Sequence, residues 1–296
     1  MAIRFDGKVA IVTGAGAGLG RCHALEFAKR GAKVVVNDLG GSVDGTGGSS
    51  EAALKVVEEI KAAGGEAVAN GASVADKAGA ESIVADAIKA FGRVDIVVNN
   101  AGILRDKSFK KMELSDFDLV TSVHLLGGAY VTKAAWPHMV EQNYGRIVMT
   151  TSSSGLYGNF GQANYGAAKL GLVGLMNTLK LEGAKSNIHV NTIAPVAATR
   201  MTENLGIPEE VFKQLKPELI SPAVLFLSHD DAPTGTIIEA GAGYFAKVQI
   251  VEGKGAKLGQ DATLEDFAAN WDKISDMSEA KPFNNGAEVT LKIFTP

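Results

Sequence analysis

With a single cysteine, Cys22, the 296-residue chain cannot close an intrachain disulfide, and a lone thiol suits a reducing compartment. No apolar run approaches the roughly 18 residues that a spanning helix needs. The first residues, MAIRFDGKVAIV, lack the apolar stretch of a signal peptide and the composition of a transit peptide, and the closing KIFTP is no retention or peroxisomal signal. A net charge of −4 gives no reason to expect a nucleic acid or an anionic membrane as partner. These absences lead to the expectation of a soluble cytoplasmic protein. What is present is ordinary globular usage, with 46% apolar and 21% charged residues, which argues against disorder. The length suffices for a sizeable core.

Strand-like and helix-like stretches alternate along the chain. An apolar run at 8–12, KVAIV, reads as a buried strand and leads directly into TGAGAGLG. Helical spacing follows over 20–30, and a second apolar run at 32–36 ends on Asn37 and Asp38. Strand, glycine turn, helix, strand and acid in this order form the context in which such a turn holds a dinucleotide. Gly14, Gly18 and Gly20, with Leu19 between the last two, let the backbone approach a pyrophosphate at the positive end of the helix. Asp38 can accept both ribose hydroxyls of an adenosine and would repel a 2′-phosphate, which favours NAD over NADP. Arg21 and Lys33 are the nearest cations that could answer such a phosphate.

The polar, glycine-rich loop 39–50 is long for its position. Helices are expected at 51–63 and 77–91, strands at 66–69 and 95–99, with Ser73 and Val74 opening the loop between them. NNAG, at 99–102, then sits at a strand's carboxyl end, where open α/β sheets bind ligands. One long helix at 115–142 contains His124, and a lone helix histidine is ordinarily a packed or surface residue. A strand at 147–151 delivers Ser152, and a helix running to 184 follows. A strand at 189–193 runs on to Ala194 and Pro195, and a helix at 218–228 and a last strand at 236–239 complete the pattern. The expected fold is α/β, one doubly wound, Rossmann-like parallel sheet with helices on both faces. The expected domain covers 1–245. The more polar, less periodic residues 246–296 form a C-terminal extension, packed on that domain or on a partner subunit.

The chemistry concentrates in residues 152–169, SSSGLYGNFGQANYGAAK. Tyr165 and Lys169 stand four residues apart, one helical turn, so both project from one face. An ammonium beside a phenol favours the phenolate and is expected to lower its pKa from the usual value of about 10. Ser152, thirteen residues before the tyrosine, could share a substrate oxygen with the phenol. This outlines acid/base work on an alcohol or a carbonyl.

TGAGAGLG, NNAG, Ser152 and the YxxxK of Tyr165 and Lys169, in order on the expected elements, resemble the short-chain dehydrogenase/reductase family over residues 5 to 245. VNDLGG, NNAGILRD, YGNFGQANY, KSNIHVNTIAP, EAGAGY and, in the tail, FAANWDKI are similar to the (3R)-hydroxyacyl-CoA dehydrogenase modules of type 2 multifunctional enzymes, over residues 3 to 283. The resemblance implies NAD as cofactor and no metal. It implies Tyr165 as base, Ser152 as the partner of the substrate oxygen, and Lys169 bonding the nicotinamide ribose. It adds Asn100, Ala101, Gly102, Ser73, Val74, Pro195 and Thr199 to the cofactor contacts.

Three positions depart from the wider family. His124 stands where most members carry asparagine, and is expected either to relay protons or to shape the helix. Val196 replaces a glycine after Pro195, and Ser73 replaces an acid that bonds adenine. Leu104, Tyr157, Phe160 and Met201 would line an outer pocket apolar enough for an acyl chain or a steroid. The implied substrate is a small molecule or an acyl-CoA, first a 3-hydroxyacyl thioester oxidised to the ketone. A hydroxysteroid dehydrogenase, a ketoacyl reductase, and a cofactor-binding regulator without catalysis are the alternatives. A homodimer is expected from the resemblance, a homotetramer being the other arrangement.

Overall fold

The computed structural model describes residues 2–198 and 208–294 of the chain. Contacts divide the chain into two compact units, Met1–Lys247 and Val248–Pro296.

The first unit opens with β1 (Val9–Thr13), α1 (Gly18–Lys29), β2 (Lys33–Asn37), α2 (Glu51–Ala62), β3 (Ala67–Asn70), α3 (Lys77–Phe91) and β4 (Ile96–Asn99). There follow α4 (Leu114–Thr121), a π-helical turn at Ser122–Leu126, α5 (Gly127–Gln142) and β5 (Gly145–Thr150). Then come α6 (Ser153–Tyr157), α7 (Ala163–Glu182), β6 (Ile188–Val196), α8 (Glu209–Phe212), α9 (Ser221–Phe226) and β7 (Ile237–Gly241). β8 (Tyr244–Val248) ends the sheet, whose order is β3-β2-β1-β4-β5-β6-β7-β8. Every pairing from β3 through β7 is parallel. The strands read as continuous apolar runs because helices cover both faces. All five residues of β1 and all six of β5 are buried. Phe27, Ile60, Ile83, Met139 and Leu172 seal the helix layers onto them. Each such side chain contributes about 1.5–3 kcal/mol by leaving water.

Chain order reverses between β1 and β4, whose Val12 and Val98 lie in register. This is the switch point at which such sheets bind ligands. It brings the glycine turn after β1 beside the NNAG turn after β4.

Two expectations of detail are corrected, and the tail gains elements of its own. The single helix at 115–142 is interrupted at Ser122–Leu126, where an extra residue enters the hydrogen-bond ladder. The sheet gains an eighth strand. Ala242 (φ 48°) and Gly243 (φ 79°) make a two-residue turn of the kind that joins antiparallel strands, so β8 returns along β7. The tail, to which the sequence assigned no element, is helical. Its α10 (Leu264–Ala269) is capped reciprocally by Thr263 and Asp266, and α11 (Trp271–Ile274) and α12 (Gly286–Phe294) follow. Within this second unit Lys292 pairs with Glu252 at 2.8 Å, and Glu252 bridges Lys281 in the backbone. None of its three helices buries a side chain, which is why no apolar stripe stood out.

Among the described residues no helix is long and apolar enough to cross a membrane.

Candidate active site

Thr13, the last residue of β1, locks the two turns together. Its Oγ1 accepts from the backbone N–H groups of Asn100 (3.0 Å) and Ala101 (3.1 Å). The Asn100 side chain donates back to the carbonyls of Thr13 (2.9 Å) and Gly14 (3.1 Å). Gly14 has φ +63°, and a Cβ there would lie 2.7 Å from Ala101 Cα, while one on Gly20 would lie 2.3 Å from the Gly14 carbonyl oxygen. Both positions therefore require glycine. Gly18 (φ 53°) starts α1, whose N-cap Ala17 supplies no side-chain hydrogen bond and whose first turn carries no acid. The first N–H groups of α1 are left to an anion. Leu19 is half-buried against the core.

Asp38 folds back over this turn. One carboxylate oxygen accepts from Gly16 N–H at 2.7 Å and the other from Gly40 N–H at 2.6 Å. A Cβ on Gly16 would stand 2.8 Å from the carboxylate carbon, so this glycine, absent from the sequence reading, is what admits the acid. Each oxygen keeps a free lone pair. The two cations that could have answered a 2′-phosphate are occupied elsewhere: Arg21 pairs with Glu59, and Lys33 with Glu66 at 3.1 Å. Uncapped helix donors, a glycine cradle and a held carboxylate fit a dinucleotide.

Ser73 Oγ accepts from Ala75 N–H at 3.3 Å, and Val74 is buried against Gly127, where a Cβ would meet it at 2.8 Å. Pro195 lies near the end of β6, in register with Ala240 of β7. Thr199 and Met201 lie outside the described residues. Leu104 is half-buried and bonded through its N–H to Val43. Tyr157 and Phe160 stand 68% and 90% exposed, so neither walls a closed pocket.

β5 delivers Ser152, which caps α6 by accepting from Ser154 N–H at 3.2 Å. On α7 the buried Lys169 donates to the Thr150 carbonyl at 2.6 Å, with its Nζ 5.4 Å from the centre of the Tyr165 ring. Thr151 Oγ1 donates to the Lys169 carbonyl, pinning α7 to the end of β5. The electrostatics correct the expectation of a lowered phenol. Burial pushes Tyr165 up to about 12, offset in part by Ser152, and the Asp106 charge raises it further. Burial also drives Lys169 down to about 7. Both groups prefer their neutral forms because neither has enough water or opposite charge.

His124 belongs to this site. The π turn places its ring edge-on to Tyr165, centroids 5.2 Å apart at 88°. Its Nε2 lies 3.0 Å from the Ile103 N–H and 2.8 Å from the Ile103 carbonyl oxygen, and serves one or the other according to tautomer. Burial, then the Lys169 charge, hold its pKa well below the usual value. Nδ1 is buried with no hydrogen-bond partner among the described residues. A Cβ on Gly102 would fall 2.2 Å from the ring, so the last glycine of NNAG makes room for the histidine.

The sequence reading missed a second set of ties. Gln162 donates to Asp106 at 2.6 Å, Lys107 N–H to the Gly161 carbonyl at 2.9 Å, and Asn164 to the Arg105 carbonyl at 3.1 Å. They clamp the segment after β4 to the turn that leads into Tyr165. The stretches NNAGILRD and YGNFGQANY both stood out in the sequence, yet nothing in either announced the other as partner.

A switch-point dinucleotide cradle beside a serine, tyrosine and lysine defines a nucleotide-dependent oxidoreductase. The family description "short chain dehydrogenase" matches residues 8–210, and the chain belongs to that family. It is 58% identical over 275 residues to peroxisomal multifunctional enzyme A of Dictyostelium discoideum, covering 93% of this chain and 61% of the relative. The solved structure of full-length peroxisomal multifunctional enzyme type 2 from Drosophila melanogaster matches with a TM-score of 0.83 at 45% identity, over 99% of this chain and 49% of that one. The chain thus spans about half to three-fifths of the length of these relatives. A 7α-hydroxysteroid dehydrogenase solved with NADH and 7-oxo glycochenodeoxycholic acid matches with a TM-score of 0.73 at 32% identity, over 81% of this chain and 95% of that one. The family and this neighbour make a nicotinamide nucleotide the cofactor class.

Proposed function

We propose that the chain oxidises the 3-hydroxyl of a (3R)-3-hydroxyacyl-CoA to the ketone, with NAD, in fatty-acid β-oxidation. The observation that carries the choice of cofactor is the Asp38 carboxylate, held over the glycine turn by Gly16 and Gly40 with its remaining lone pairs free. A 2′-phosphate there would meet a negative charge with both nearby cations already paired. Similarity to multifunctional enzymes over nearly the whole of this chain supports the hydroxyacyl substrate. The oxidised form of the cofactor supplies the hydride acceptor. Tyr165, as the phenolate, takes the hydroxyl proton, and Ser152, whose hydroxyl offsets part of the rise that burial imposes on the phenol, steadies the same substrate oxygen. Lys169 favours the phenolate when its amine is charged and bonds the cofactor ribose. His124 acts as a positioning residue, fixing Ile103 and the tyrosine ring together.

Steady-state rates with 3-hydroxyacyl-CoA thioesters, a 17β-hydroxysteroid and the reverse ketoacyl reduction, each with NAD(H) and NADP(H), test the reading. The highest kcat/KM for a thioester with NAD is the expected result. A higher value for the steroid, or for ketoacyl reduction with NADPH, replaces the proposal with that alternative. Cofactor binding without turnover of any of them would point to the regulator.

We further propose a homodimer in which the tail covers a partner subunit. Leu264, Trp271, Leu291 and Phe294 are more than half exposed within a unit that buries almost nothing by itself. Light scattering that returns a monomer or a tetramer overturns this. The expected cytoplasmic address stands against relatives whose names place them in the peroxisome, and fractionation of expressing cells decides between the two.

A further inference from the structure

After β4 the chain carries Arg105, Lys107, Lys110 and Lys111, four cations in seven residues of a protein whose net charge is −4. They are not equally free. Arg105 bonds Asp116 at 2.7 Å and the Asp44 carbonyl at 2.9 Å, and Lys107 approaches Asp116 at 3.5 Å while staying half exposed. Lys110 and Lys111, on the 3-10 turn Phe109–Lys111, are exposed and enter no ion pair among the described residues. Between Lys107 and this pair Phe109 presents a ring 74% exposed. The segment starts at the reacting pair: residues 105–107 are clamped by three hydrogen bonds to residues 161–164, immediately before Tyr165. Phe160, from the same turn, is almost wholly exposed.

Unpaired ammonium groups beside a bare aromatic ring match a phosphorylated nucleoside, the phosphates against the lysines and the base on the ring. We propose that Lys110, Lys111 and Phe109 bind the phosphorylated adenosine end of the coenzyme A thioester. The reading rests on the thioester substrate proposed above and assigns the end of that molecule remote from the reacting carbon. Binding there lowers KM without touching the chemical step.

The test compares two substrates with the same acyl group, the 3-hydroxyacyl-CoA and its N-acetylcysteamine thioester, which lacks the nucleotide. In Lys110→Glu/Lys111→Glu, KM for the CoA thioester rises about tenfold at low salt. The N-acetylcysteamine KM, the cofactor KM and kcat stay at wild-type values. The inhibition constant of adenosine 3′,5′-bisphosphate against the CoA thioester rises in step, and Phe109→Ala weakens the same inhibitor. An unchanged CoA KM, an equal rise for both thioesters, or a rise in the cofactor KM instead overturns the assignment. Failure of the wild-type enzyme to oxidise either thioester removes the substrate reading itself, and this proposal with it.

Discussion

The ring of His124 stands perpendicular to that of Tyr165, 5.2 Å away, and occupies the volume that a side chain on Gly102 would need. Removing the ring leaves a hole beside the phenol and frees Ile103. His124→Ala should lower kcat about 10–100-fold with cofactor binding little changed. Gly102→Ala should lower kcat by driving the ring toward the tyrosine. Because the two residues compete for one space, the double variant should lose less than the sum of the single losses in ΔΔG‡. Strict additivity in that cycle would show that the contact does not govern catalysis.

Tyr165→Phe keeps the ring against His124 and deletes only the proton acceptor. Turnover should fall by about 10²–10⁴ or more. Cofactor affinity, followed by fluorescence titration, should stay within about threefold of wild type. Retention of wild-type kcat removes Tyr165 from the mechanism.

Asp38→Ala deletes a carboxylate that holds two glycine N–H groups and has lone pairs left for ribose. The NAD KM should rise about 10–100-fold, as expected for loss of charge-assisted hydrogen bonds. Preference over NADP should shrink by a similar factor. A parallel rise for both cofactors would assign Asp38 to building the turn rather than to discrimination.

Lys169 makes cofactor-free stability depend on pH. Its folded value of about 7 lies below the 10.5 of the free amine. Between those values the unfolded chain binds the extra proton, so stability rises with pH across that window, and below it the full penalty of burying the amine is present. Relative to Lys169→Met, the wild-type protein should gain about 3–4 kcal/mol between about pH 7 and about pH 10. Urea denaturation of both proteins across that range measures the difference, and a flat difference contradicts the burial.

His23 gives the complementary acid limb. It is fully buried on α1, bonded to Ser221 of α9 at 2.8 Å, and burial lowers it to about 3 from 6.5. The unfolded chain binds the proton first, so this residue's contribution is lost as pH falls from about 6.5 toward about 3. His23→Gln should be less stable at neutral pH and should show a shallower acid decline, read by thermal melts.

Local pattern in the sequence settled the strand–helix alternation, the glycine turn with Asp38, and the ordered Ser152, Tyr165 and Lys169. These signals are short-ranged: continuous apolar runs in buried strands, a 3.6-residue period in helices, and a pair spaced by one turn. The tail helices were hidden because they bury nothing within their own unit. Tertiary structure alone decided the rest. The packing of a ring from the π turn under Gly102 turned His124 from an ordinary helix histidine into part of the site. Asp106 finds Gln162 across 56 residues of chain, and Gly16 admits Asp38 across 22. Spacing could place Lys169 beside Tyr165, but not say what each would feel. Ionisation follows the water and charge around a group, and here that surrounding is assembled from the ends of β1, β4 and β5 with the faces of the π turn and α7.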